Sequence, residues 1–192
     1  MNTFMQKIFP NVYCYVDKFN LPDLSKLHKS INIIYRNYDN LNYLDDLLKL
    51  KSYCRKKSKK LYLSNNIKLS IKLGLAGVYI PSFNNQLNYC GIYDLPINFR
   101  IIGSAHNMRE IRIKNTQGCK EIFLSPIFKN NKSKKNLGII KFSIIKLSCK
   151  TNLIALGGIN EHNFKKLKPL GLNGFASISW AKKNGLSNLR PF

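Results

Sequence analysis

NLIALGGINEHNFKKLKPLGLNGFASIS, residues 152–179, contains one complete structural unit and sets the reading of the rest of the chain. It opens on the apolar run NLIAL, bounded by Gly157 and Gly158, the pattern of a buried strand that ends in a turn. Phe164 and Leu167 then fall on one face of a helix that opens near Asn160 and is closed by Pro169 and Gly171. A second apolar run, NGFASIS, begins at Asn173. The spacing fits a strand, a crossover helix and a parallel strand; a hairpin would need far fewer residues.

Working outward, six more runs of the same kind precede this unit: NVYCYV from Asn11, INIIY from Ile31, KLYLS from Lys60, GVYIP from Gly77, FRIIGS from Phe99 and EIFLS from Glu121. Eight runs begin on average about 23 residues apart, the length of one strand plus one helix. The segments between them carry helical patterns. After Asp39 or Asn40 as a cap, Leu41, Leu44, Leu47 and Leu48 form an apolar stripe, with Asp45 and Asp46 early and Arg55, Lys56 and Lys57 late, as the helix dipole favours. Ile67, Ser70, Ile71 and Gly74 make a second stripe, with Lys68 and Lys72 facing outward. The expectation is a single-domain (β/α)8 barrel over residues 1–192 with a short final helix, a doubly wound open sheet being the alternative.

The 192 residues suit one core, and 44% hydrophobic content excludes a disordered chain. Five scattered cysteines, Cys14, Cys54, Cys90, Cys119 and Cys149, form no C-x-x-C pair, which argues against a disulfide framework or a zinc site. Without a run long enough to span a bilayer or a leader pattern, the expected location is the cytoplasm, with no membrane partner. The net charge of +23 invites a nucleic-acid reading. Lysine is nevertheless spread over nearly every polar segment and greatly outnumbers arginine, so a solvated basic surface is the preferred reading.

In a (β/α)8 barrel the chemistry sits where strands end. Those positions are Asp17, Arg36, Ser64 with Asn65, Tyr79 to Asn84, Ser104 with His106, Ser125 to Lys135, Gly157 with Gly158, and Ile178 with Ser179. The last two pairs bring backbone N–H groups to neighbouring strand ends, an arrangement that holds phosphate. A tight turn without a ligand explains Gly157 and Gly158 equally well. His106 has no carboxylate near it in sequence and reads as a capping or supporting histidine.

IIGSAHN, EIFLSPIF, a Lys-rich loop ending in LG, LIALGGINEHN and GFASISWA occur in this order from Arg100 to Ala181. Together they resemble the thiamine phosphate synthase / TenI family, whose members are (β/α)8 barrels. Its synthases join an aminopyrimidine methyl pyrophosphate to a thiazole phosphate with the help of Mg²⁺. The resemblance implies that Gly157, Gly158, Ile178 and Ser179 cradle the thiazole phosphate through backbone amides. Arg36 matches the Arg of the family's Q-x-R-x-K facing pyrophosphate, although Ile34 and Tyr38 replace the flanking Gln and Lys. Ser104 and His106 keep the S-x-H, with Ser104 as a pyrophosphate contact. Among Lys132, Ser133, Lys134 and Lys135 in the sixth loop, Lys134 is the chosen phosphate-facing lysine.

The departures are as informative. The two metal-binding Asp positions of the family fall on Asn65 and Asn84, so both Mg²⁺ carboxylates are missing, and an uncharged amide is a poor ligand for a hard cation. The tautomerase branch carries a His after the sixth strand where this chain has Pro126. Three functions follow as expectations: a divergent synthase with a degenerate metal site, a non-catalytic or TenI-like binder of a phosphorylated small molecule, and, ranked last, nucleic-acid binding. Oligomeric state is left open, a homo-oligomer included.

Overall fold

In the computed structural model, residues 11–38, 43–87, 91, 93–130, 133, 135–177 and 180 are described. All eight apolar runs are strands: β1 Asn11–Val16, β2 Ile31–Tyr35, β3 Leu61–Ser64, β4 Gly77–Ile80, β5 Arg100–Ala105, β6 Glu121–Leu124, β7 Asn152–Leu156 and β8 Gly174–Ser177. They pair in parallel in sequence order, and β8 closes on β1 through Asn11 and Gly174. The chain is a closed eight-stranded barrel, which decides against the open sheet.

The side chains sort by the two-residue period of a strand. Val12, Cys14 and Val16 of β1 face the outer layer, while Tyr13 and Tyr15 face the barrel interior. The interior is unusually aromatic: Tyr13, Tyr15, Tyr62, Tyr79 and Phe123 fill it together with Ile34, Ile102, Ile154 and Ala176. Tyr15, Tyr79 and Phe123 meet edge to face, with centroids 5.4 to 6.1 Å apart. At the end where the strands begin, the buried Glu121 carboxylate accepts hydrogen bonds from Tyr13 Oη and from Asn11 Nδ2 (2.8 Å), and it lies 3.6 Å from Arg100. A buried carboxylate with this many partners is tolerated because its charge is neutralised locally.

The barrel wall is tight at two symmetric places. A methyl group at Gly77 would lie 1.9 Å from the Arg100 carbonyl oxygen, and one at Gly174 would lie 1.8 Å from the Asn11 carbonyl oxygen. Both glycines open an even-numbered strand beside its neighbour's backbone.

The outer helices are α1 Leu21–Lys26, α2 Tyr43–Lys56, α3 Ile67–Lys72, α4 Met108–Thr116 and α5 Gly138–Leu147. Asn20, Asn66 and Asn107 cap α1, α3 and α4 by accepting from the N–H three residues on, at 3.2, 3.0 and 3.0 Å. In α2 the buried face is Leu47, Leu50, Tyr53 and Cys54, whereas Leu44 and Leu48 are exposed. The expected stripe of Leu44, Leu47 and Leu48 is therefore wrong in part, because a leucine-rich helix offers two apolar faces and sequence spacing does not say which one meets the sheet. Asp39, Asn40 and Leu41 lie outside the described residues. The segment after β7 is a 3₁₀ helix, Phe164–Leu170, which Gly171 ends in the left-handed region at φ 53°.

Burial also places a lysine under tension. Lys59 Nζ donates to the carbonyl oxygens of His28 (2.5 Å) and Ile31 (3.4 Å), and burial lowers its pKa to about 8. The folded state then binds fewer protons than the unfolded state between pH 8 and the ordinary lysine value, so this group adds stability as pH rises through that window. Cys54, its thiol pushed up to about 12 by burial, acts in the opposite sense. Thermal melts should therefore show wild type gaining on Lys59→Met between pH 8 and 10. A constant gap across that range would contradict this.

Candidate active site at the strand ends

The carboxyl ends of the strands carry Arg36, Ser104, Asn65, Asn84, Gly157 and Gly158 among the residues expected to have function. Arg36 follows β2 directly, and its N–H bonds to the Val16 carbonyl at 2.8 Å. Its guanidinium sits over the Tyr15 ring, 5.1 Å from the centroid, a cation–π contact at the top of the barrel interior. Ser104, the next-to-last residue of β5, carries a buried hydroxyl. Tyr38 and Phe83 stand at the mouth, 51% and 64% exposed, with ring centroids 6.0 Å apart; Tyr38 Oη is fixed on Ser64 Oγ at 2.7 Å.

Asn65 and Asn84 meet. Asn84 Nδ2 donates to Asn65 Oδ1 at 2.6 Å, and Asn84 Oδ1 accepts from Gln86 N–H at 2.9 Å. Asn65 adopts a left-handed backbone, φ 60°, a conformation asparagine takes more readily than most residues, and its N–H bonds to the Tyr79 carbonyl. The two positions expected to match the family's metal ligands thus converge, but as two neutral amides bonded to each other. Mg²⁺ does not fit this pair, since it needs one or two carboxylates, and no cluster of three His, Cys, Asp or Glu side chains occurs among the described residues.

Behind Asn84 lies a group that sequence reading missed. Lys114 is fully buried, and its Nζ donates to the Asn84 carbonyl at 2.7 Å and to Gln117 Oε1 at 2.9 Å. Gln117 Nε2 adds bonds to the carbonyls of Asn84 (2.9 Å) and Gln86 (2.7 Å). Burial lowers the Lys114 pKa. Gly103 makes room for it, because a Cβ there would lie 2.9 Å from Lys114 Cδ. The available signal was Lys114 at three residues from the buried Ile111 on the inner face of α4.

His106 bridges three strand ends. Its Nδ1 lies 2.8 Å from the Ser125 carbonyl oxygen, which requires a proton on Nδ1, and Nε2 lies 3.2 Å from Ser82 Oγ, which then donates to it. Contrary to the expectation that no carboxylate lies within reach in sequence, Glu110 four residues on accepts from the His106 backbone N–H at 2.8 Å. These are the contacts of a histidine that ties loops together.

Gly157 and Gly158 have φ of 96° and 70°, so both stand where L-side chains are strained. A Cβ on Gly157 would lie 2.8 Å from Pro126 Cβ, and one on Gly158 would lie 2.5 Å from the Lys129 carbonyl oxygen. Their carbonyls are used: Phe128 N–H bonds to Gly157 O at 3.1 Å and Asn163 Nδ2 to Gly158 O at 2.7 Å. Their N–H groups have no acceptor among the described residues. Packing against the β6 loop demands the glycines, and the turn leaves two donors at the strand end. Ile178, Ser179, Lys132 and Lys134 lie outside the described residues.

The model of the thiamine monophosphate synthase family matches residues 27–181. The chain belongs to that family. A thiamine-phosphate synthase of Prochlorococcus marinus is 34% identical over 144 residues, 68% of this chain and 38% of that protein. A second, from Prochlorococcus marinus subsp. pastoris, is 25% identical over 79% of this chain and 43% of its own length. The family member described here therefore spans less than half the length of these two relatives. Among solved structures, the thiamine phosphate pyrophosphorylase from Pyrococcus furiosus superimposes with a TM-score of 0.68 at 17% identity, covering 95% of this chain and 94% of that one. At that identity the likeness establishes the shared barrel.

Proposed function

We propose that this chain works in thiamine biosynthesis, in the cytoplasm, on the phosphorylated thiazole and the aminopyrimidine methyl pyrophosphate, and joins them without carboxylate-held Mg²⁺. The observation that carries the reading is the Gly157–Gly158 turn, two N–H donors without acceptors among the described residues at a strand end, in a chain of this family. In the reaction the C–O bond of the pyrimidine methylene breaks and its electron pair leaves with pyrophosphate; the thiazole nitrogen then forms the new N–C bond. Arg36 and Ser104 face the leaving pyrophosphate, with Lys134 added from the sixth loop. Amides of Gly157, Gly158, Ile178 and Ser179 hold the thiazole phosphate, and preorganised donors of this kind act where charge develops.

The Asn65–Asn84 pair supports a second reading, a binder of the phosphorylated thiazole that has lost turnover. Pyrophosphate release from the two substrates, assayed with and without EDTA, separates them. The synthase reading expects slow release unchanged by chelator. Calorimetric binding of thiazole phosphate without any release favours the binder. Absence of binding to either compound removes both.

A further inference from the structure

We propose that the Tyr15 hydroxyl is a specificity-determining hydrogen-bond donor to a ring nitrogen of the bound heterocycle; this rests on the phosphorylated-heterocycle reading above. Tyr15 is 3% exposed, and its hydroxyl is the buried side-chain oxygen with no hydrogen-bond partner among the described residues. Burial raises its pKa well above the ordinary tyrosine value, so it keeps its proton and remains a donor. The neighbouring Tyr79 acts on it electrostatically and through a weak hydroxyl–hydroxyl interaction, which falls short of a formed hydrogen bond. A buried donor without a partner calls for an explanation, because phenylalanine would fill the same volume without that cost. The barrel uses that alternative one strand-layer away, at Phe123, which packs against Tyr15.

Direction and surroundings point to the mouth. The charges that act on the Tyr15 hydroxyl belong to Tyr79, Arg36 and Tyr38, all near strand ends, and not to Glu121 at the opposite end. Its register partner on β2 is the apolar Ile34, so Tyr15 carries the polar group of that pair. Arg36 lies over the Tyr15 ring, so an anion held by the guanidinium stands next to the phenol. Above stands the exposed Tyr38 and Phe83 pair, two faces suited to a flat ring. A ligand with a phosphorylated planar nitrogen heterocycle satisfies all three features: anion for Arg36, ring for the aromatic wall, lone pair for Tyr15.

The test uses the full chain, Tyr15→Phe, and Tyr62→Phe as a control at another buried tyrosine of the barrel interior. Calorimetry measures binding of thiazole phosphate, of the aminopyrimidine methyl pyrophosphate, and of inorganic pyrophosphate as a ringless probe. Tyr15→Phe should weaken one of the two ring-bearing ligands about tenfold or more, leave pyrophosphate unchanged, and keep or raise the melting temperature. Tyr62→Phe should leave all three affinities in place. Unchanged affinity of Tyr15→Phe for both ring-bearing ligands overturns the proposal and leaves the proposed function standing. An equal loss for pyrophosphate also overturns it, since a damaged site would explain that. If wild type binds neither ring-bearing ligand, the functional reading and this proposal fall together.

Discussion

Asn65→Asp combined with Asn84→Asp should turn a chain indifferent to Mg²⁺ into one that responds to it. The two amides are 2.6 Å apart as donor and acceptor. Two carboxylates in their place repel by about 1 kcal/mol in water-like surroundings and about 4 kcal/mol in an effective dielectric of 20, at roughly 4 Å. With both positions near solvent, the lower part of that range applies. The double variant in EDTA should melt a few degrees below wild type, by the usual conversion for a domain of this size. Millimolar Mg²⁺ should restore the loss by binding only the folded state, while the wild-type melting temperature should not move. If turnover is measurable, EDTA should leave the natural chain unaffected and slow the double variant about tenfold or more. EDTA-sensitive turnover by the natural chain would show that its cation is held elsewhere.

The largest effects on folding are expected at the two wall glycines, and Gly77→Ala tests one of them. The new methyl would sit 1.9 Å from the Arg100 carbonyl oxygen, more than 1 Å inside ordinary contact, and both partners belong to backbones locked in the β4–β5 ladder. No side chain can swing away to relieve it. Overpacking in a rigid core costs typically 1–3 kcal/mol and occasionally more; here a loss of about 3 kcal/mol or more is expected, lowering the melting temperature by roughly 6–12 °C or abolishing the cooperative transition. Gly74→Ala is the matched comparison. Nothing lies within 4 Å of its added carbon, but φ is 59°, so only the left-handed backbone penalty of about 1–2 kcal/mol applies. Equal destabilisation by the two substitutions would refute this account of the wall.

The strands were legible because each is a short apolar run between polar segments, and parallel strands buried on both faces leave that signature. The regular return of eight such runs favoured closure, but an open sheet stayed as the alternative until the pairing of β8 with β1 decided it. Helix faces were less so. Leu44 and Leu48 read as core and are exposed, since helical spacing marks a stripe but the docking angle is a property of the assembled wall. At the site, the resemblance put the family's two metal-binding Asp positions on Asn65 and Asn84, and the side chains of these two residues touch. Lys114 and Tyr15 escaped notice for one reason: a lysine on a basic helix and a tyrosine in a strand are unremarkable by type. Only the packed structure shows that one holds a loop carbonyl and the other lacks a partner among the described residues.

The Asn65–Asn84 contact also governs the order in which this mouth can change. After Asn65→Asp alone, the new carboxylate still accepts from Asn84 Nδ2. After Asn84→Asp alone, the Asn65 amide can turn over and donate, while Gln86 N–H continues to hold position 84. Either first step is nearly silent. The second step, whichever residue it alters, removes the donor between the two side chains and sets oxygen against oxygen, a cost of about 1 kcal/mol. Restoring two carboxylates therefore carries a cost that either mixed pair avoids, and a bound cation offsets it.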